Sequence, residues 1–134
     1  MQRSFARELG SLAALFDFLD EAAERYRLDE DSRFAARLAA EEIFTNMVKY
    51  GGGEARVSIT IEVRDHRLQL AFVHPGAVPF DVTDTDEIDV SKPISDRTPG
   101  GIGLFLVRRM MDDVTYEYAD GVARVTLSKH MGGS

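Results

Sequence analysis

Apolar residues recur at helical spacing near the start of the chain. Leu12, Leu15, Phe16, Leu19, Ala22, Ala23 and Tyr26 fall at i, i+3, i+4 and i+7 steps, which predicts one buried helical face behind an N-cap at Ser11. Asp29 predicts the cap of a second helix over about 30–50, ended by Gly51-Gly52-Gly53. That helix reads as nearly apolar around its circumference, through Phe34, Ala35, Leu38, Ala39, Ala40, Ile43, Phe44, Met47 and Val48. The period then changes to two. Val57, Ile59, Ile61 and Val63 alternate with polar residues, Asp65-His66 turns the chain, and Leu68, Leu70 and Phe72 continue on a second strand. Residues 81–98 are turn-rich and acidic (Asp81, Asp84, Asp86, Glu87, Asp89 and Asp96 against Lys92 and Arg97) and read as a loop. A third helix is predicted from about 101 to 111. Val114, Tyr116 and Tyr118 then form a strand, and Asp120-Gly121 turns into a last strand carrying Ala123, Val125 and Leu127. Residues 3–8 suggest a short edge strand, and residues 131–134 a loose tail.

The order is (β)αα-ββ-loop-α-ββ. It predicts an α+β two-layer sandwich whose mixed, mostly antiparallel sheet is covered on one face by helices, and not a doubly wound sheet. With 134 residues, the chain suits a single domain spanning 1–134. A net charge of −7 argues against binding to nucleic-acid phosphates or to an anionic membrane surface. With no cysteine and three scattered histidines, thiolate and histidine metal sites are not expected. No run approaches the ~20 apolar residues of a membrane span, and the N-terminal residues lack a signal-peptide core. A cytoplasmic protein is expected.

Two motifs carry candidate chemistry. Glu42 and Asn46, four residues apart, share one side of the second helix. A carboxylate can polarise a hydroxyl, and an amide oxygen is a hard ligand suited to Mg²⁺. Alone, such a pair is more often a solvated helix face. An Asn in an otherwise apolar helix, however, needs a partner. The second motif is Pro99-Gly100-Gly101-Ile102-Gly103-Leu104, which opens the third helix. Glycines there let a phosphate approach backbone N–H groups at the positive end of a helix. It is neither a Rossmann fingerprint nor a P-loop, and a Gly cluster is more often a hinge. Arg108 and Arg109 sit near the helix C-terminus, where the helix dipole or solvent is their expected partner.

Taken in order, Glu42…Asn46, the turn Pro75-Gly76-Ala77-Val78-Pro79-Phe80 and Gly100-Gly101-Ile102-Gly103-Leu104 resemble the histidine-kinase-like ATPase superfamily of Bergerat fold. Within it, the chain is most similar to bacterial anti-sigma-factor serine kinases of partner-switching systems. The resemblance implies ATP and Mg²⁺ as cofactors and γ-phosphoryl transfer to a serine or threonine of an antagonist (anti-anti-sigma) protein. It implies that Glu42 is the general base, that Asn46 holds Mg²⁺ and that Lys49 reaches a phosphate. Gly76 would turn beside adenine, with Phe80 beneath the nucleotide; a core Phe explains that residue equally well. Residues 82–99 would be a lid, and Gly100, Gly101, Ile102, Gly103 and Leu104 would frame the phosphates. Implied partners are a sigma factor, the antagonist and a second copy of the chain in a homodimer, with no direct contact to nucleic acid or membrane.

One position departs from the family pattern. Where the family places an aspartate that accepts a hydrogen bond from the adenine amino group, this chain has His74. A neutral imidazole has one acceptor nitrogen and a protonated one has none. An unpaired polar group costs ~1–3 kcal/mol, roughly ten- to a hundredfold in affinity. Three readings stay open: weak ATP binding, a relaxed base preference, or a catalytically degenerate partner-binding module.

Overall fold

The computed structural model describes residues 1–53, 55–83 and 101–131. Among these residues five strands form one sheet in the order β1-β2-β3-β5-β4: β1 Gln2–Phe5, β2 Val57–Arg64, β3 Arg67–Pro75, β4 Asp113–Ala119 and β5 Val122–His130. Every pairing among them is antiparallel, so the parallel component of the expected mixed sheet is absent among the described residues. Among the described residues three α-helices accompany the sheet: α1 Leu12–Arg25, α2 Glu30–Tyr50 and α3 Gly101–Met110. Strand residues alternate as the period of two requires. Val57, Ile59, Ile61, Leu68, Leu70, Phe72, Val125 and Leu127 are buried and share one core with Leu15, Phe18, Ile43, Phe44, Met47, Leu104 and Val107 of the helices. At about 1.5–3 kcal/mol for each large apolar side chain buried, this two-layer contact supplies the main favourable term for folding.

Both hairpins turn through two residues with positive φ, Asp65 (52°) with His66 (61°) and Asp120 (52°) with Gly121 (76°). That conformation matches the right-handed twist of the strands it joins. The edge strand is shorter than residues 3–8 and starts earlier, because Gln2 to Phe5 pair with Thr60 to Val57 and no partner extends beyond Val57. Met131 is tied down: its N–H donates to the His66 carbonyl at 2.6 Å, so the expected loose tail does not include it. Residues 132–134 lie outside the described residues.

The two N-caps behave differently. Asp29 accepts a hydrogen bond from the Ser32 N–H at 2.7 Å and caps α2 as its sequence predicts. Ser11 does not cap α1. A short 3₁₀ turn, Leu9–Ser11, leads straight into the helix, and the Ser11 hydroxyl instead donates to the Ala6 carbonyl at 2.7 Å. The Ser32 contact holds the Asp29 carboxyl below the usual aspartate range. A group whose folded pKa is depressed stabilises above its unfolded pKa and loses that contribution as pH falls through the folded value. Asp29→Ala is therefore expected to cost about 1 kcal/mol near neutral pH. The difference from the unmutated protein should close below about pH 4 in denaturant titrations run at several pH values.

Candidate functional site

The strongest contact between the two motifs is steric. A Cβ placed on Gly103 would overlap the Glu42 carboxyl, so a side chain there would displace that carboxyl from where it now lies. The first turn of α3 thus meets α2 at the residue the sequence singles out as a base. Leu104 and Val107 anchor α3 in the core, while Ile102 is 41% exposed. Burial pushes the half-buried Glu42 carboxyl above the usual glutamate range. The adjacent Glu41 adds to the rise, and Lys49, exposed near the end of α2, pulls partly the other way.

Asn46 is 7% exposed, and its Nδ2 donates to the Val82 carbonyl at 3.1 Å. This bond satisfies the buried amide nitrogen and fixes the orientation of the amide oxygen. The segment 81–83 is held from both sides. Thr83 N–H and Oγ1 donate to Asp81 Oδ1 at 2.8 and 2.6 Å. Arg108 of α3 donates to the Thr83 carbonyl through Nε (3.1 Å) and Nη2 (2.7 Å). Arg108, though exposed and near the helix end, is thus engaged with the Thr83 backbone as well. Arg109 does face outward, lying over the Phe105 ring at 5.0 Å. The remainder of the expected lid, from residue 84 on, and Gly100 lie outside the described residues.

At the other end of the site, Gly51-Gly52-Gly53 does more than stop α2. A Cβ on Gly51 would meet the Met47 carbonyl at 2.6 Å and the His74 ring at 2.7 Å, so glycine is needed there for close approach. The Gly51 carbonyl accepts from the Val78 N–H at 2.8 Å, which joins the end of α2 to the turn at Gly76 (φ 70°). His74 is fully buried on the helix-covered side of β3, and neither ring nitrogen has a hydrogen-bond partner among the described residues. Burial pushes its pKa down and the nearby Arg7 charge adds to that, while the Gly52 backbone, outside hydrogen-bonding geometry, opposes weakly. The ring is therefore neutral at pH 7.

Phe80 is not a core residue. It is 44% exposed and stacks on Tyr50, with ring centroids 5.1 Å apart and planes 29° from parallel. Phe34 likewise breaks the expected apolar circumference of α2, at 59% exposed. Three residues of this region carry no sequence signal. Arg7 follows a strand end, yet its guanidinium donates to the carbonyls of Met47 (3.1 Å), Val48 (2.8 Å) and Gly53. It thereby serves the Val48 carbonyl at the end of α2 and adds a second donor to the Met47 carbonyl, which also accepts from the Gly51 N–H. Arg108 and Tyr50 look like ordinary helix-end residues until the fold brings their partners from 25 and 30 positions away.

The donor set suits a magnesium–polyphosphate group better than a metal cage. Among the described residues no three His, Cys, Asp or Glu side chains cluster for a metal. One oriented amide oxygen is the kind of single ligand that Mg²⁺ completes with phosphate oxygens and water. No described helix is long and apolar enough to cross a membrane.

Comparison with known proteins agrees with this geometry. Residues 5–129 match the family described as histidine kinase-like ATPase domain. The serine/threonine-protein kinase BtrW of Bordetella bronchiseptica is 29% identical over 116 residues, covering 84% of this chain and 81% of its own. The serine-protein kinase RsbW of Listeria monocytogenes is 34% identical over 102 residues, 71% of this chain and 64% of that one. RsbW of Bacillus thuringiensis (strain Al Hakam) is 27% identical over 101 residues, 71% and 62%. This chain thus aligns with somewhat under two thirds of the length of these two RsbW relatives. Among solved structures, Acinetobacter baumannii histidine kinase AdeS superposes with a TM-score of 0.51 at 15% identity, over 99% of this chain and 68% of that one, which speaks for the fold alone. With nearly the whole chain matched and the two motifs meeting at Gly103 and Glu42, this protein belongs to the histidine kinase-like ATPase family.

Proposed function

We propose that this chain is an anti-sigma-factor-type serine kinase, which binds ATP with Mg²⁺ and phosphorylates a serine or threonine of an antagonist protein. The observation that carries the reading is the seating of Gly103 against the Glu42 carboxyl, which puts a candidate base and a candidate phosphate-binding turn in one place. The serine-protein kinase relatives support the same choice of acceptor. A sigma factor as second partner, a homodimer and a cytoplasmic setting belong to the same proposal.

The residues divide the work as follows. Glu42 takes the proton of the acceptor hydroxyl as its oxygen bonds to the γ-phosphorus and the bridging bond to the β-phosphate breaks, releasing ADP. Its raised pKa brings it nearer the operating pH, where a base is more effective. Asn46 presents its amide oxygen to the metal. Bound Mg²⁺ would supply the charge neutralisation that phosphoryl transfer requires. Lys49 adds positive charge on the phosphate side. Gly100, Gly101 and Gly103 allow backbone N–H groups of the α3 start to approach the phosphates, with Ile102 and Leu104 holding that turn outward and inward. His74, Gly76 and Phe80 form the base end. The seating of Gly103 against the Glu42 carboxyl supports the catalytic reading over the degenerate one.

Two experiments follow. Incubation with [γ-³²P]ATP, Mg²⁺ and a confirmed antagonist partner should label a serine or threonine of that partner; no transfer from the folded, unmutated protein would sink the catalytic proposal. Gly103→Ala should push the Glu42 carboxyl out of position. A displacement of about 1 Å can cost a hundredfold in rate, so kcat should fall by about ten- to a hundredfold with little change in Tm. An unchanged kcat would remove Gly103 from the account.

A further inference from the structure

The side-chain amide of Asn46 has two ends, and only the oxygen can ligate a metal. Its Nδ2 donates to the Val82 carbonyl at 3.1 Å. A carbonyl oxygen only accepts, so the NH₂ end must face it and the amide oxygen is held on the other side. Whatever fixes the Val82 carbonyl therefore fixes which way that oxygen points.

The Val82 carbonyl shares one peptide plane with the Thr83 N–H, and across a trans bond the two point in opposite directions. The Thr83 N–H donates to Asp81 Oδ1 at 2.8 Å, so the plane is held at one end by Asp81 and meets Asn46 at the other. The Thr83 hydroxyl also donates to Asp81 Oδ1, at 2.6 Å, and accepts from Arg108 Nη2 at 3.1 Å. Arg108 holds the next carbonyl, that of Thr83 itself, through both Nε and Nη2. Asp81 and Arg108 each bring a charge to these bonds, and charge-assisted hydrogen bonds are roughly twice as strong as neutral ones. Val82 and Thr83 are 3% and 2% exposed, so water cannot readily replace a lost partner.

We propose that Asp81 and Arg108 are positioning residues for the metal: by clamping Thr83 they set the 82–83 peptide plane, which presents the Asn46 amide oxygen, rather than its nitrogen, to Mg²⁺. The inference rests on the reading of Asn46 as the metal ligand given above and adds the groups that aim it.

Calorimetric titration with ATP, once in Mg²⁺ and once in EDTA, measures the affinity that the metal adds. Asp81→Ala removes the acceptor of both Thr83 donors. The gain from Mg²⁺ should fall about tenfold in this variant, the lower end of what outer-shell partners of metal ligands usually contribute. Asp81→Asn loses the same charge but keeps an oxygen for the Thr83 N–H, and should hold the gain to within threefold. Arg108→Met removes a cation, which by charge alone would favour Mg²⁺, yet the clamp predicts a fall here too. Asn46→Ala should abolish the gain. If it does, and the gain falls less than threefold in folded Asp81→Ala, or equally in Asp81→Asn, or not at all in Arg108→Met, the inference is overturned and the metal reading stands. If Mg²⁺ adds no affinity to the unmutated protein, or Asn46→Ala keeps the full gain, both fall. An independent readout needs no ligand: in heteronuclear NMR of the free protein, the Asn46 NH₂ protons should exchange slowly and lose that protection in Asp81→Ala. Unchanged protection would equally overturn the inference.

Discussion

Glu42→Gln is expected to lower the rate of phosphoryl transfer by about 10²–10⁴-fold, the usual contribution of a positioned general base. The amide keeps the shape of the carboxyl, so Gly103 can still seat against it and α3 keeps its place. What is lost is the ability to accept a proton, while nucleotide affinity should hold or tighten slightly as one negative charge leaves the phosphate end. The pH dependence gives an independent check. Burial, with Glu41 adding to it, raises the Glu42 pKa. The base works only when ionised, so kcat should climb with pH through an inflection above the ordinary glutamate value and flatten at higher pH. That inflection should vanish from the residual activity of Glu42→Gln. A variant that keeps full kcat, measured at saturating Mg-ATP, would take the base role from Glu42.

The largest stability effect is expected at Phe44. It lies on α2 two residues beyond Glu42, fully buried, with the Phe5 ring edge-on at 6.4 Å; Phe5 in turn meets Phe18 at 5.8 Å. This aromatic chain ties the edge strand, α1 and α2 together behind the site. Phe44→Ala removes most of a large side chain at the junction of three elements, where close packing leaves little room to collapse. The cost should be about 3–5 kcal/mol, a large part of the ~5–15 kcal/mol that holds a domain together. For a chain of this length, thermal melts should show a drop in Tm of about 10–20 °C. A drop under about 3 °C would mean that the core relaxes around the gap. Because Phe44 faces away from the candidate chemistry, activity per folded molecule should change less than the amount of folded protein.

The layered fold is legible in the sequence because periodicity reports burial directly. Val57 to Val63 and Leu68 to Phe72 alternate, and the structure buries the predicted residues on one side, Val63 only partly. The two hairpin turns stand at Asp65-His66 and Asp120-Gly121, where short polar or glycine residues take positive φ. Sheet order is less legible. The neighbour of β3 is β5, the last strand, and nothing local encodes a pairing of Phe72 with Val125. Ser11 misleads because a 3₁₀ turn before α1 leaves no extended cap residue, so its hydroxyl turns back to Ala6.

The site divides in the same way. Glu42, Asn46 and Gly103 are named by their spacing; the structure seats Gly103 against Glu42, while the partner of Asn46, the Val82 carbonyl, is a backbone group that no motif specifies. Gly51 reads as a helix stop, yet its tighter constraint is the ring of His74, 23 residues later. Arg7 and Arg108 act through guanidinium contacts to carbonyls at distant positions. Long side chains reaching backbone acceptors leave no periodic trace, so only the folded chain identifies them.

We propose above that Asn46, Glu42 and the start of α3 frame one Mg²⁺–triphosphate site. A crystal structure with a non-hydrolysable ATP analogue and Mg²⁺ tests it most directly. The account predicts the metal within about 2.0–2.1 Å of the Asn46 amide oxygen, phosphate oxygens on the backbone N–H groups near Gly103, and the base edge beside His74. Polyphosphate bound away from α3, with no metal at Asn46, would contradict it.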